Sequence, residues 1–486
     1  MSVERTDMEK QDLNRREFLA YSGSAMIAAA VGLTAQGCHP RNKSQTGEDL
    51  KSAQPISKPN IIFILADDLG YGDIGCYGQK VIRTPNIDRM AEQGIRFTQC
   101  YAGSTVCAPS RCSLMTGMHT GHATIRGNLQ KALPLRKEDV TVAEVLKSAG
   151  YATGAIGKWG LGLEDSTGTP DKKGFDEFFG YINQTLAHSY YPEYLWRNNE
   201  KVILEGNQSG RKTQYSHDLF EKEALDFISR HRSEPFFLYL ALTTPHANNE
   251  LGEETGNGME IPDYGRYEKE NWPLPEKGFA AMVTRMDNTV GTIMKKLKDS
   301  GIDENTIVFF SSDNGPHNEG GYHPQFFNSS GPLRGIKHDL YEGGIRVPMI
   351  ARWPGHIKNG LVSNQVWAFW DFLPTAAQIA NAEIPPGIDG ISMLPSLLGK
   401  SQQAHEYLYW ELFERAWEEN GGLFSQALLM DNWKAIRNGR GNSIELYNLK
   451  DDLAERKNIA DQHPETVEKI NAMMKSVRVD SSFFHI

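Results

Sequence analysis

Five cysteines in 486 residues, none in a CxxC pair, are too few for a disulfide scaffold. No His/Cys cluster has the spacing of a structural zinc site. Positive charge is not in excess. A formal net charge of −10 argues against a general nucleic-acid binder, so any anionic ligand must be captured by a local group of cations. Internal repeats and low-complexity blocks are missing. So is a comfortable membrane span, because the apolar run Ala20 to Ala35 is short and rich in Ala and Gly. What is present, 39% hydrophobic and 23% charged residues, suits a soluble globular protein. The length predicts one large domain with a smaller one attached.

Residues 1–38 read as an address rather than as fold. Asn14-Arg15-Arg16-Glu17-Phe18-Leu19 is a twin-arginine pattern ahead of the short apolar stretch, as in a bacterial export signal. Leu33-Thr34-Ala35-Gln36-Gly37-Cys38 ends that stretch like a lipoprotein cleavage box, which makes Cys38 a candidate for lipidation. The expected product is periplasmic, soluble or anchored to the membrane by that lipid. Residues 39–57 are polar and read as a tether.

From residue 58 the pattern alternates. Asn60 to Ala66 is a continuous apolar run and predicts a strand buried on both faces, at the centre of a parallel sheet. Thr84-Pro85 opens a helix that Gly94 closes. Val140 to Ala149 reads as a helix and Tyr151 to Ile156 as a strand. Tyr215 to Arg230 and Phe236 to Leu242 repeat that pair, as do Phe279 to Leu297 and Thr306 to Ser311. The fold class expected is therefore α/β, a doubly wound, mostly parallel sheet, over residues 58–384. Residues 385–486 hold short strands, a hairpin turn at Asp431-Asn432 and a helix from Pro464 to Val477. They predict a smaller antiparallel subdomain.

In doubly wound sheets ligands bind beyond the carboxyl ends of strands. The polar residues there are Asp67-Asp68, Gly157-Lys158-Trp159-Gly160, Thr244-Pro245-His246 and Asp313-Asn314-Gly315. Asp67, Asp68, Asp313 and Asn314 form an all-oxygen set suited to a hard cation, calcium first and magnesium second. One such pair often only caps a turn. Two pairs, each after an apolar strand, favour metal. Lys158 and Lys337 sit in glycine-flanked settings that allow close approach to an anion. His246 is a candidate general acid for a leaving alcohol. Cys107-Ala108-Pro109-Ser110-Arg111 places a cysteine one helical turn before an arginine. If a helix starts there, its amides and Arg111 stabilise negative charge.

These blocks, with Tyr341-Glu342-Gly343-Gly344-Ile345-Arg346-Val347-Pro348, stand in one order from about residue 58 to 355. Together they resemble the formylglycine-dependent sulfatases, arylsulfatase-like and alkaline-phosphatase-like in fold. The resemblance implies that a formylglycine-generating enzyme converts Cys107 to an aldehyde, whose hydrate attacks sulfur and then expels sulfate. It implies calcium on Asp67, Asp68, Asp313 and Asn314. It assigns the handling of sulfate to Arg111, Lys158, His246 and Lys337. One departure matters: many relatives carry His two positions after the lysine, where this chain has Gly160. His119 and His188 are candidate replacements, and an elimination without a base or assisted by calcium is equally open. The segment His188 to Arg197 resembles bacterial sulfatases of galactans and glycosaminoglycans. That makes His188, Tyr190 and Arg197 candidate sugar contacts and a 4-O-sulfated galactose-type unit of an oligo- or polysaccharide the expected substrate. The rival readings are a phosphodiesterase or phosphonate monoester hydrolase of the same superfamily, and a non-catalytic glycan-binding lipoprotein.

Overall fold

The computed structural model describes residues 58–128, 132–414 and 424–484. The twin-arginine segment and Cys38 lie outside them. The main sheet has eleven strands: β1 (Asn60–Ala66), β2 (Ile95–Tyr101), β3 (Ala152–Lys158), β4 (Glu177–Tyr181), β5 (Tyr194–Arg197), β6 (Glu200–Ile203), β7 (Phe236–Ala241), β8 (Thr306–Ser312), β9 (Arg346–Arg352), β10 (Leu361–Ser363) and β11 (Trp367–Ala368). Their order is β10-β2-β9-β8-β1-β7-β3-β4-β5-β6, with β11 also on β2. The run β8-β1-β7-β3-β4 is parallel throughout. The flanks β9, β5 and β6 pair antiparallel.

β1 lies inside that parallel run, between β8 and β7, and all seven of its residues are buried. Its side chains alternate between two cores, as the two-residue period of a strand requires. Ile61, Phe63 and Leu65 pack with the helices Cys107–Thr116, Val142–Ser148 and Phe372–Ile379. Ile62, Ile64 and Ala66 face the helices Pro85–Glu92, Ser216–Arg230 and Leu274–Asp299 on the other side. The doubly wound class is thus the one the apolar runs predict.

Element ends shift in ways that matter to the site. β3 runs two residues beyond the expected Ile156, because Gly157 and Lys158 go on pairing with Gly180 and Tyr181 of β4. Gly157 is required there: its φ is +104°, and a Cβ would lie 1.9 Å from the Ala241 carbonyl oxygen. The long helix starts at Leu274 rather than Phe279, with Pro275 in its first turn.

The second sheet is antiparallel, β12 (Leu408–Phe413), β13 (Phe424–Met430), β14 (Trp433–Asn438) and β15 (Glu445–Asn448), in that order. Asp431 takes the left-handed φ of 54° in the β13–β14 turn. The helix Pro464–Ser476 covers one face through Ile470 and Met474. Trp410 anchors the sheet to the main body by donating its indole N–H to the Ala102 carbonyl at 2.9 Å. The described residues accordingly cluster as one unit.

Candidate active site

The strands β8, β1, β7 and β3 are parallel neighbours, so their carboxyl ends deliver Asp313-Asn314, Asp67-Asp68, the His246 turn and Lys158 to one place. The helix Cys107–Thr116 starts at the same place, with Cys107 as its first residue and 3% exposed. One ligand atom each from Asp67, Cys107 and Asp313 lies within 4.8 Å of the other two. Above them opens a cavity of about 950 Å³ lined by Cys107, Gln184, His188, His246, Glu319 and Lys337, among others.

The floor is a chain of buried ion pairs. Lys158 Nζ is 2.7 Å from Asp67 and Lys337 Nζ is 2.9 Å from Asp68. Arg111 donates through Nε and Nη2 to Asp313 at 3.0 and 2.8 Å, and through Nη1 to the Lys158 carbonyl at 2.7 Å. Its guanidinium also lies 3.3 Å from Asp67. Arg111 and Lys158 therefore sit beneath the cavity and fix its carboxylates, while Lys337 and His246 reach its surface. Burial works to raise the Asp67 carboxyl, but the Lys158 and Arg111 cations outweigh it and hold it well below the usual range. Asp313 moves the other way: burial and the Asp67 charge push it up to about 7.

That crowding is one feature a bound cation would relieve. A second is a pair of under-satisfied oxygens. Asn314 Oδ1 is buried without a hydrogen-bond partner and Asp67 Oδ1 has only the Arg111 guanidinium, 3.3 Å away, a costly state for an all-protein site. Asn314 is held in that pose because its Nδ2 donates to Asp68 Oδ1 at 2.8 Å and to the Gly315 carbonyl at 2.9 Å. Three carboxylates and one amide oxygen converging in this way fit a hard divalent ion.

His246 Nδ1 faces its neighbour's carbonyl, Ala247 O, at 2.6 Å, so Nδ1 carries the proton and Nε2 is the acceptor. Burial pushes the imidazole down to about 3, which keeps it neutral. Nε2 lies 3.4 Å from Lys337 Nζ. As it stands the neutral His246 offers Nε2 to the cavity only as an acceptor. Glu319, which the sequence reading missed, holds Lys337 from the other side at 2.9 Å.

The expected sugar contacts divide. His188 lines the cavity, stacks on His246 with ring centroids 5.2 Å apart, and faces Glu250 at 3.0 Å through Nδ1. Tyr190 does not reach the cavity: it is fully buried, and its hydroxyl lies 2.7 Å from the Thr243 and His246 carbonyls. It supports the His246 turn from behind. Arg197 is also elsewhere, spent on Glu223 at 2.6 Å and laid over the Phe179 ring. His119 cannot replace the absent histidine, since it sits past the far end of the Cys107 helix, with its ring beside Asp389 and stacked on His122. The residue against Cys107 is Gln184, 2.8 Å from Sγ, with Asn128 at 3.6 Å. Neither amide carries a sequence signal of its own; Gly160 was the only hint that something else fills that space.

Buried lysines over a cation-ready carboxylate floor, with a masked cysteine at a helix N-terminus, define a hydrolase for esters of a small oxyanion. The comparisons with known proteins agree. The sulfatase family model matches residues 59–382, and that for the C-terminal part of N-sulphoglucosamine sulphohydrolase matches residues 336–480. An N-acetylgalactosamine-6-O-sulfatase of Bacteroides thetaiotaomicron is 31% identical over 517 aligned residues, covering 91% of this chain and 96% of that one. The pig N-acetylgalactosamine-6-sulfatase is 36% identical over 70% of this chain and 66% of its own length. The crystal structure of Ps i-CgsB, solved also with k-i-k-neocarrahexaose, covers 87% of this chain and 93% of its own at 28% identity and a TM-score of 0.72. The chain belongs to the sulfatase family and is a sulfuric ester hydrolase.

Proposed function

We propose that this chain removes sulfate from a galactose- or N-acetylgalactosamine-type unit of a sulfated saccharide, at O6. The observation that carries the reading is Cys107 at the base of a 950 Å³ cavity, within 4.8 Å of Asp67 and Asp313. The sugar and the position are supported by the relatives, two of which are named for 6-sulfated N-acetylgalactosamine. O6 replaces the 4-O position suggested by the resemblance alone. Export through the twin-arginine segment, with lipidation at Cys38, fits a saccharide met outside the cytoplasm.

Calcium on Asp67, Asp68, Asp313 and Asn314 supplies, when bound, positive charge for oxygens of the sulfate and of residue 107. The aldehyde that a generating enzyme makes from Cys107 supplies, when hydrated, the hydroxyl that attacks sulfur. The chain's own side chains do the rest. Lys337 meets a sulfate oxygen at the cavity surface, and Lys158 and Arg111 keep the carboxylates aimed. As the bond from sulfur to the sugar oxygen breaks, its electron pair stays on that oxygen. The oxygen takes a proton from His246, which enters the complex protonated at Nε2, a form that the negative charge of the bound sulfate favours.

The test is a panel of 6-O-, 4-O- and 2-O-sulfated galactose and N-acetylgalactosamine saccharides beside aryl sulfate and aryl phosphate, using protein with verified conversion at residue 107. Release of sulfate from the 6-O isomer is expected. Preference for the 4-O isomer overturns the position, and preference for aryl phosphate overturns the sulfatase reading of the site.

A further inference from the structure

Gly160 and Gln184 explain each other. A Cβ added at Gly160 would lie 3.4 Å from Gln184 Cδ and 3.5 Å from its Nε2, so any side chain there would grow into space the glutamine occupies. Gly160 also has φ +74°, a conformation that a β-carbon resists. The loop that carries Gln184 is fixed, not draped. Gly160 N–H donates to the Ile182 carbonyl at 3.1 Å, and Asn183 Oδ1 caps the next turn by accepting from the Leu186 N–H at 2.9 Å. From this loop Gln184 Oε1 reaches the Cys107 thiol at 2.8 Å. Its Nε2 donates to Asn128 Oδ1 at 3.5 Å, and Asn128 Nδ2 approaches the same sulfur at 3.6 Å.

We infer that Gln184, backed by Asn128, is the catalytic group that orients the residue-107 hydroxyl that re-forms the carbonyl as sulfate departs, in the place a histidine side chain at 160 would take. The inference rests on the sulfatase reading. An amide accepts a hydrogen bond but not a proton in the working pH range. When the C–O bond to sulfate breaks, its electrons leave with sulfate. The remaining hydroxyl re-forms C=O, and its proton goes to water. Gln184 aims that hydroxyl by accepting from it; it does not act as the base.

The test uses Gln184→Met, which keeps the length and removes the amide, and Gln184→Glu, which keeps the shape and adds charge. In converted protein, checked by the mass of the residue-107 peptide, Gln184→Met should lose about 10- to 100-fold in kcat with KM within about twofold. It should also retain sulfate on that peptide after an acid quench. Unchanged kcat with no retained sulfate overturns the role. A second readout needs no turnover. In unconverted protein the thiolate is the species that iodoacetamide traps, and a carboxylate against Sγ opposes it, so Gln184→Glu should slow alkylation of Cys107 by about tenfold. An unchanged rate overturns the contact itself. If converted wild-type protein releases no sulfate from any ester while alkylation still slows, the sulfatase reading fails and the contact stands.

Discussion

The floor and the wall of the cavity are built on different principles. The floor balances three carboxylates, Asp67, Asp68 and Asp313, against Arg111, Lys158 and Lys337, none more than 5% exposed. Each charge is held by another within 3.3 Å. All but Arg111 and Lys337 stand at or just past the ends of adjacent parallel strands. The wall draws His188 and Glu250 from one part of the chain, Glu319 and His338 from another, and Leu412 to Glu414 from the end of β12. A rigid floor suits the transfer of a small, constant oxyanion, whereas a wall of loops suits a leaving group that varies. Substitutions in the floor should damage turnover of every ester alike, and those in the wall should discriminate among esters.

The largest effect tests the floor at its reacting atom. Cys107→Ala should lower kcat on any sulfate ester by on the order of 10⁴-fold or more, while saccharide binding by calorimetry persists. Turnover within tenfold of wild type would refute the assignment of Cys107. Next is the cation. Chelation, or Asp67→Asn, should cost about 10²- to 10³-fold on aryl and saccharide sulfates equally. Calcium should restore the chelated protein better than magnesium. Indifference to chelation would mean that the crowded Asp67 and Asn314 oxygens serve another purpose. Lys337→Ala should follow at about 10²-fold, again independent of the leaving group. A loss confined to saccharides would move Lys337 from the floor to the wall.

The same division governs what could be read from the sequence. Asn60 to Ala66 announces a central strand because both of its faces are buried, and a central parallel strand fixes where its next two residues point. Asp67 and Asp68 were therefore legible, and so were Asp313-Asn314 after β8. Lys158 was legible through its glycines. The wall depends on loops whose positions no local pattern encodes. Gln184 lies 24 positions beyond Gly160 and returns to it only because β4 pairs parallel with β3. Glu414 follows directly on β12 of the antiparallel sheet, far in sequence from the parallel strands that carry the floor. The aromatic segment after His188 was visible as composition, but composition does not tell an outward Tyr from an inward one. Tyr190 turns in because its hydroxyl has two buried carbonyls to serve.

His188 is the wall residue that can sharpen the comparison. It stacks on His246 yet takes its polar contact from the exposed Glu250. His188→Ala should raise KM for a saccharide sulfate about fivefold and leave an aryl sulfate within about twofold, since the aryl group makes no sugar contacts to lose. An equal fall in kcat on both substrates would show that the stack on His246 serves proton transfer and that His188 belongs with the floor.

The smallest effect is the control that separates the wall from mere surface. Arg197 was expected to read the sugar, but it is spent on Glu223 on a flanking strand and is 47% exposed. Glu223 is largely buried but keeps Arg230 at 3.2 Å as a second partner, so losing the half-exposed Arg197 costs about 1 kcal/mol. Arg197→Ala should therefore lower stability by no more than about that much in a urea melt and change no kinetic constant on either substrate. A saccharide-specific rise in KM would mean that the substrate extends past the cavity mouth along β5, and the wall would have to be redrawn to include that edge of the sheet.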